Sequence, residues 1–260
     1  MNDVLTIIPA KGRSTRLPNK NIALLDGKPL VVHAIEQAVS SGVCGEICVG
    51  TDSTKTAKIA KNAGASVPFL RDNDVDDITP VGVAALNILK RYQTDLKKRF
   101  KYLCLLLVTS PMRSPEDIIA CRDLLFSNSN LDAAMSVVYA EKHPCWAWKI
   151  DQLKQITPMF PDKCDLGRNQ LPAPFYVDGS VYWAKTAFFE KAKGSQYAGK
   201  VAGYIMPPER AIDIDTPLDL DFCEYLTSKK NQCEVSMKNN QNKQNKKLSG
   251  QDKMTPTGSY

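Results

Sequence analysis

The sequence predicts an α/β fold built on an open, mostly parallel, doubly wound sheet of the Rossmann-like kind. Three observations predict it. Apolar runs of strand length alternate with segments whose apolar residues recur at helical spacing. YLCLLLV (102–108) is apolar on both faces, as a central parallel strand covered by helices on either side must be. The charged and polar motifs follow the ends of strands, where sheets of this kind place their ligands.

In chain order, residues 4–9 read as the first strand. Residues 29–41 carry apolar side chains at helical spacing and stop at Gly42, a residue suited to a helix end. EICVGTD (46–52) reads as the second strand, 54–63 as a helix closed by Gly64, SVPFL (66–70) as a short strand and 81–92 as another helix. After the central strand, Ser114 is placed to cap a helix over 115–126, with Pro115 at its first position. AAMSVVYA (133–140) is a further strand. Residues 141–178 break the rhythm. Trp146, Trp148, Phe160 and Phe175 lie there in Pro-rich sequence without helical spacing, which reads as an arm or lid outside the sheet. SVYWA (180–184), a helix to residue 193, KVAGYIM (200–206) and a final helix over 217–225 return to the main body. Such alternation implies right-handed strand–helix–strand units.

With 260 residues the chain has length for one large domain with an excursion. Hydrophobic residues make up 43% and charged residues 24%, an ordinary globular balance. No run of about 18 apolar residues suggests a membrane span. The opening MNDVLTIIPA lacks the basic and long apolar regions of a secretory leader. The eight cysteines form no CxxC pair and sit mostly in apolar runs, as the reduced thiols of a cytoplasmic protein do. The formal charge of +6 is concentrated after residue 228, where seven lysines face only Glu234 and Asp252. KNNQNKQNKKLSGQDK has the composition of a disordered, solubilising tail rather than of a nucleic-acid contact. The expected organisation is a catalytic body over 1–228, with 141–178 inserted as the arm, and a disordered basic tail over 229–260.

LTIIPAKGRSTRLPNKNI (5–22) delivers an apolar strand into a loop holding Lys11, Arg13, Arg16 and Lys20 with no acid among them. Like charges gathered this closely repel unless an anion sits between them. A polyphosphate is the usual one, because several cations neutralise it while backbone N–H groups of a strand-to-helix loop donate to its oxygens. Gly12 allows close backbone approach and Pro18 stiffens the loop. A solvated basic turn is the plainer alternative. The loop is neither GxxxxGK[ST] nor GxGxxG, so P-loop and dinucleotide sites are not expected.

AIDIDTPLDL (211–220) is the second constellation. Asp213 and Asp215 alternate with Ile212 and Ile214, so in an extended chain both carboxylates share one face. Two hard oxygen ligands suit Mg²⁺, which also takes phosphate oxygens and water. Helix capping competes as the account of Thr216, Asp219 and Asp215, and it leaves Asp213 unexplained. His33 and His143 are too few and too isolated for a histidine-based mechanism. Cationic loop and carboxylate pair together suggest a magnesium-bound nucleoside triphosphate.

IIPAKGRSTRLPNKNIALLDGKPL resembles the IPARGGSKRLPGKNI…GKPL opening of the acylneuraminate cytidylyltransferases. VGTDS, VPFLR, LLLVTSPMR, LGRNQLPAPFYVDGSVYW and IDIDTPLDL follow in that family's order, over roughly residues 4–226. STRLP is closer to the Kdo cytidylyltransferases and spore-coat polysaccharide proteins, while the later motifs are closer to the sialic, pseudaminic and legionaminic acid group. The resemblance implies the nucleotide-diphospho-sugar transferase fold. It also implies transfer of CMP from CTP to the anomeric hydroxyl of a nonulosonic acid, with release of pyrophosphate, for surface glycans.

By matching positions, the resemblance implies that Lys11, Arg16 and Lys20 hold phosphates, with Ala10 and Gly12 also among the nucleotide-binding residues of the loop. Asn21 would contact the nucleotide, Arg71 would line the cytidine pocket, and Asp213 and Asp215 would bind Mg²⁺. Leu107, Thr109, Arg168 and Tyr182 would line the sugar side. Arg168 could pair with a carboxylate or phosphate, or be a surface arginine of the arm. Tyr182 could face the sugar or pack in a strand core, and Phe188 and Phe189 are assigned to helix packing. The arm implies a homodimer, and neither membrane nor nucleic acid is an expected partner. Several positions depart from the family pattern. Lys11 stands for Arg, Arg13 for Gly and Thr15 for Lys, with Arg16 the nearest replacement. RNQLP stands for RQDLP-like sequence, and Asp178 for the preferred Asn. Leu107 replaces a sugar-reading Gln, which shifts the expectation from N-acetylneuraminic acid towards a differently decorated acid. A Kdo-type or other sugar nucleotidyltransferase, or an inactive nucleotide-binding relative, remain the alternatives.

Overall fold

The structure, a computed structural model, describes residues 3–14, 17–72 and 78–232. Strand β1 (Val4–Pro9) leads through the basic loop into a small hairpin, β2 (Leu24–Leu25) and β3 (Lys28–Pro29), and then helix α1 (Leu30–Ser41). β4 (Glu46–Gly50), α2 (Thr54–Asn62), α3 (Val81–Thr94), β5 (Tyr102–Leu106), α4 (Pro115–Phe126) and β6 (Ala133–Tyr139) follow. The excursion supplies a second hairpin, β7 (Trp148–Ile150) and β8 (Ile156–Pro158). β9 (Phe175–Lys185), α5 (Thr186–Lys191), β10 (Val201–Ile205) and α6, described over 217–232, complete the chain.

Six strands form the main sheet in the order β10-β6-β9-β5-β1-β4. β1 pairs in parallel with β4 and β5, and β6 in parallel with β10. β9 runs antiparallel between β5 and β6. The sheet is covered on both sides, which is why its strands read as continuous apolar runs. One face packs Ile8, Cys104, Leu106 and Trp183 against α1, α4 and Cys223 of α6. The other packs Leu5, Ile7, Leu103 and Leu105 against Ala85–Tyr92 of α3 and Phe189 of α5.

Local signals place the helices as expected. In α1, Leu30, Val31, Ala34, Ile35 and Ala38 are buried, and Gly42 ends the helix at φ 65°. Ser53 caps α2 by accepting the Thr56 N–H at 3.2 Å. Pro115 opens α4, and the buried Asp117 carboxylate accepts the Ser114 N–H at 2.8 Å.

Several boundaries differ from the sequence expectation. SVPFL forms only a single parallel bridge, Ser66 with Cys48, because Pro68 cannot continue a ladder. Pro29 belongs to the β2–β3 hairpin, turned by Asp26 and Gly27 at φ 50° and 72°. The last residues of the excursion join the sheet, since β9 begins at Phe175. α6 continues beyond residue 225, so 229–232 are helical, and the rest of the expected tail, from Cys233 on, lies outside the described residues. The seven described cysteines are all unpaired, five of them buried, as the composition suggested.

One irregularity shapes the site. On β6 Met135 pairs with Tyr182 and Val137 with Val177, so Ser136 alone faces residues 178–181. Its hydroxyl fills the gap, accepting the Val181 N–H at 2.9 Å and donating to the Val181 carbonyl at 3.2 Å. Gly179 makes the turn at φ 77°, a conformation costly for residues with a Cβ. Bulges of this kind re-aim neighbouring side chains at the rim of a sheet.

Candidate active site

The basic loop starts where β1 leaves the sheet. Ala10 is buried and donates its N–H to the Gly50 carbonyl at 2.8 Å, which keeps the loop beside the end of β4. Gly12 donates its N–H to Asp52 Oδ1 at 2.5 Å, and a Cβ at this position would lie 2.9 Å from the Ser53 Cβ. The close approach that Gly12 permits is thus to the β4–α2 loop. Asn21 is buried and donates from Nδ2 to the Lys11 carbonyl at 2.7 Å, closing the loop from its other end. Gly12→Ala is expected to cost about 1–3 kcal/mol by overpacking, read as a lower urea midpoint at unchanged slope.

The acid segment comes from the far end of the chain. Residues 211–215 are neither helix nor strand, yet Ile214 is fully buried and donates its N–H to the Thr109 carbonyl at 2.8 Å. Ile212 packs on the same core, while Asp213 is exposed and Asp215 half-buried, which keeps the predicted alternation. Asp219 Oδ2 accepts the N–H groups of Asp215 at 3.0 Å and Thr216 at 2.7 Å. Capping therefore accounts for Asp219 and Thr216. The Asp215 carboxylate instead meets Lys20 Nζ at 2.9 Å, with the two side chains 29% and 11% exposed. This contact joins the basic loop to the acid segment across 195 residues of sequence.

Two carboxylates two residues apart, one already beside a cation, fit the hard-oxygen chemistry of Mg²⁺. Among the described residues no group of three or more His, Cys, Asp or Glu could hold a metal by itself. The remaining ligands would have to be phosphate oxygens and water, as Mg²⁺ prefers at nucleotide sites. Arg71, buried and donating its N–H to the Thr51 carbonyl at 2.9 Å, borders a cleft of about 320 Å³ shared with Phe69, Asn87 and Ile88. A larger cavity of about 900 Å³ is bounded by Gly42, Glu46, Lys98 and Phe100. It lies at the opposite end of the strands, where β4 and β5 begin rather than where β1 delivers the basic loop.

Residues 5–142 match the family model described as Cytidylyltransferase. Over 226 residues the chain is 34% identical to the CMP-N,N'-diacetyllegionaminic acid synthase of Legionella pneumophila, covering 86% of this chain and 95% of that one. The chain belongs to the cytidylyltransferase family. It is also 28% identical over 225 residues to the pseudaminic acid cytidylyltransferase of Campylobacter jejuni, covering 85% of this chain and 95% of that one. The fold matches that of a CMP:2-keto-3-deoxy-manno-octonic acid synthetase complexed with CTP, with a TM-score of 0.64 at 17% identity over 87% of this chain and 99% of that chain.

In this cytidylyltransferase the residues expected on the sugar side are not all brought together. Leu107 and Thr109 are half-buried in the turn leaving β5, and Leu107 Cδ1 is 3.0 Å from where a Cβ on Gly179 would stand. Tyr182 has the strand-core placement, the second of its two expected readings. It is 3% exposed in the middle of β9 and packs on Phe189 with ring centroids 6.0 Å apart. Arg168 is exposed and tied to its own arm, donating from Nη2 to the Glu141 carbonyl with its guanidinium 5.8 Å from the Tyr139 ring. Arg16 lies outside the described residues.

Three groups escaped the sequence reading. Asp52 binds the loop glycine, as above. Arg113 is 2% exposed and donates from Nη1 to the carbonyls of Leu107 at 2.6 Å and Ser180 at 3.1 Å, bracing the end of β5 against the β9 bulge. Burial pulls its guanidinium down to about 10, opposed by the neighbouring Cys104, Cys44, Asp178 and Asp117, so it stays charged at neutral pH. The third group is the pairing of Asp117 with Arg210. A charged residue inside an otherwise apolar or capping motif was the available signal for each of these side chains.

Proposed function

We propose that the protein transfers CMP from CTP to the anomeric hydroxyl of a nonulosonic, sialic-acid-like acid and releases pyrophosphate. The observation that carries this reading is the 2.9 Å pairing of Lys20 Nζ with Asp215 Oδ1, which puts the cationic loop and the acid segment in one place. In the reaction the anomeric oxygen bonds to the α-phosphorus as the bond from that phosphorus to the α,β-bridging oxygen breaks. Pyrophosphate takes the leaving electron pair and the hydroxyl proton passes to solvent. Charge gathers on the phosphate oxygens, so positioned cations supply most of the acceleration.

Lys11, Arg16 and Lys20 hold the phosphates in this scheme, Asn21 keeps the loop closed around them, and Arg71 lines the cytidine side. Asp213 and Asp215 would hold Mg²⁺, which when bound neutralises phosphate charge and polarises the phosphoryl oxygens. Leu107 and Thr109 border the acceptor. The relatives named for legionaminic and pseudaminic acid support a nonulosonic acceptor. Leu107, apolar at this position, favours one decorated differently from N-acetylneuraminic acid. The test incubates purified protein with CTP, Mg²⁺ and a panel of neuraminic, legionaminic, pseudaminic and Kdo acids while pyrophosphate is followed. Release is expected with a legionaminic or pseudaminic acid ahead of the other two. Binding of CTP without release for any acid would mark an inactive relative.

The arm fits a second copy of the chain. Trp148, Ile150 and Ile156 of its hairpin are 51%, 63% and 60% exposed, an apolar surface that a single copy leaves in water. Replacing all three with Ser is expected to convert a dimer to a monomer in light scattering; a monomeric parent would rule the arm out as an interface. No helix among the described residues is long and apolar enough to cross a membrane, and the described cysteines are unpaired. The unpaired cysteines fit the reducing conditions of a cytoplasmic location.

A further inference from the structure

The segment carrying Asp213 and Asp215 has no ladder or helix of its own to fix it. Its centre is held by Ile214 on the Thr109 carbonyl, and its carboxyl side by Asp219. On its amino side stands Arg210, the last residue of a 3₁₀ turn over Pro208–Arg210. The Arg210 guanidinium forks onto the Asp117 carboxylate, Nε to Oδ2 at 2.9 Å and Nη2 to Oδ1 at 2.8 Å. The same carboxylate accepts the Tyr204 hydroxyl at 2.8 Å and the Ser114 N–H at 2.8 Å.

Four donors from the cap residue before α4, from β10 and from the 208–210 turn thus converge on one side chain that has no exposed surface. Burial by itself would raise the Asp117 carboxyl, but the bonds from Arg210, Ser114 and Tyr204 outweigh it and hold it below the usual range. Ion pairs with a buried carboxylate and a half-buried guanidinium, as here, are weak stabilisers, and geometric specificity is the better reason to keep one. Here the fork lies three residues before Asp213, and α4 directly follows the turn whose Thr109 carbonyl holds Ile214. Both tethers therefore start from the same short stretch, 109–117. One rigid base fixes two points of the acid segment, with Asp213 between them.

We propose that Arg210 and Asp117 are positioning residues that hold Asp213 and Asp215 in the geometry needed to take up a divalent cation. This rests on the metal role given to the two acids above. The fork matters because a guanidinium fixes both distance and plane, which an ammonium cannot do. Residues that orient metal ligands typically change metal affinity tenfold to about a hundredfold when removed.

The test measures Mn²⁺ binding by electron paramagnetic resonance in the presence of CTP and without any sugar acid, so that no turnover is involved. Melting temperature and the Mg²⁺ dependence of the steady-state rate are recorded on the same proteins. Arg210→Met is expected to weaken Mn²⁺ binding roughly tenfold or more. The Mg²⁺ concentration for half-maximal rate should rise in step, while the rate at saturating Mg²⁺ stays closer to the parent. Arg210→Lys should recover part of the loss. Tyr204→Phe, which removes one donor and keeps the fork, gives a milder variant should Arg210→Met fail to fold, and roughly a twofold to threefold weakening is expected there. Parental Mn²⁺ affinity in Arg210→Met, or in both Arg210→Lys and Tyr204→Phe should Arg210→Met fail to fold, would reduce the clamp to a structural contact and overturn the proposal. Failure of the parent protein itself to bind Mn²⁺ with CTP would instead strike at the metal role of Asp213 and Asp215, and the clamp would fall with it.

Discussion

Asp213→Asn and Asp215→Asn should each lower turnover by at least about a hundredfold, the scale of losing one positioned charge-stabilising group. Asn keeps the size and one carbonyl oxygen of Asp but removes the negative charge that a hard cation requires. Asp213 is exposed, so its replacement opens no cavity in the core. A large loss of rate with an unchanged melting point therefore assigns Asp213 to chemistry rather than to folding. Asp215 is half-buried and its carboxylate pairs with Lys20, so some loss of stability is expected there. Parental rates in both variants would show the acids to be a structural feature of the segment.

Lys20→Met should be the second large effect. Its ammonium is 11% exposed and sits 2.9 Å from Asp215, so removal takes a cation from the phosphate site and leaves Asp215 without that partner. The expected outcome is a fall in kcat/KM for CTP of about a hundredfold. Lys20→Arg keeps the charge but changes its geometry, and should retain more activity than the Met variant without reaching the parent. The loss in Lys20→Met should narrow as salt rises, since salt weakens the parental contact and has less to screen in the variant. Equal CTP kinetics in parent and Lys20→Met would place the triphosphate elsewhere.

Much of the fold was legible because its strands are buried on both faces and its helices carry ordinary punctuation. Residues 4–9 and 102–106 read plainly as central strands, though the apolar run carries on through 107–108 into the turn, and Gly42 and Gly64 stop α1 and α2 where the left-handed region is required. The antiparallel β9 was harder to place. Its first residues, Phe175–Asp178, look like the Pro-rich arm they follow, and only pairing with β6 shows that they belong to the sheet. The end of α6 was missed because polar residues 227–232 weaken the apolar pattern without breaking a helix.

The site divides along the same line. Local pattern exposed the cationic loop and the Asp213–Asp215 alternation, since each is written in a few consecutive residues. Pairing Lys20 with Asp215, Gly12 with Asp52 and Arg210 with Asp117 requires tertiary structure, because nothing in local spacing links residues 195, 40 or 93 positions apart. For Tyr182 the motif position and the strand pattern offered different readings, and strand alternation turns that side chain onto Phe189 in the core.

The central claim is that the loop of Lys11, Lys20 and Asn21 and the acids Asp213 and Asp215 grip one metal-chelated triphosphate. A crystal structure grown with CTP and Mn²⁺ tests it most directly through the anomalous signal of manganese. The account predicts a manganese peak bound by the Asp213 and Asp215 carboxylates and by phosphate oxygens, with Lys20 against the same triphosphate. A peak bound elsewhere, with CTP seated in the cavity beside Glu46 and Phe100 and both acids unliganded, would contradict it.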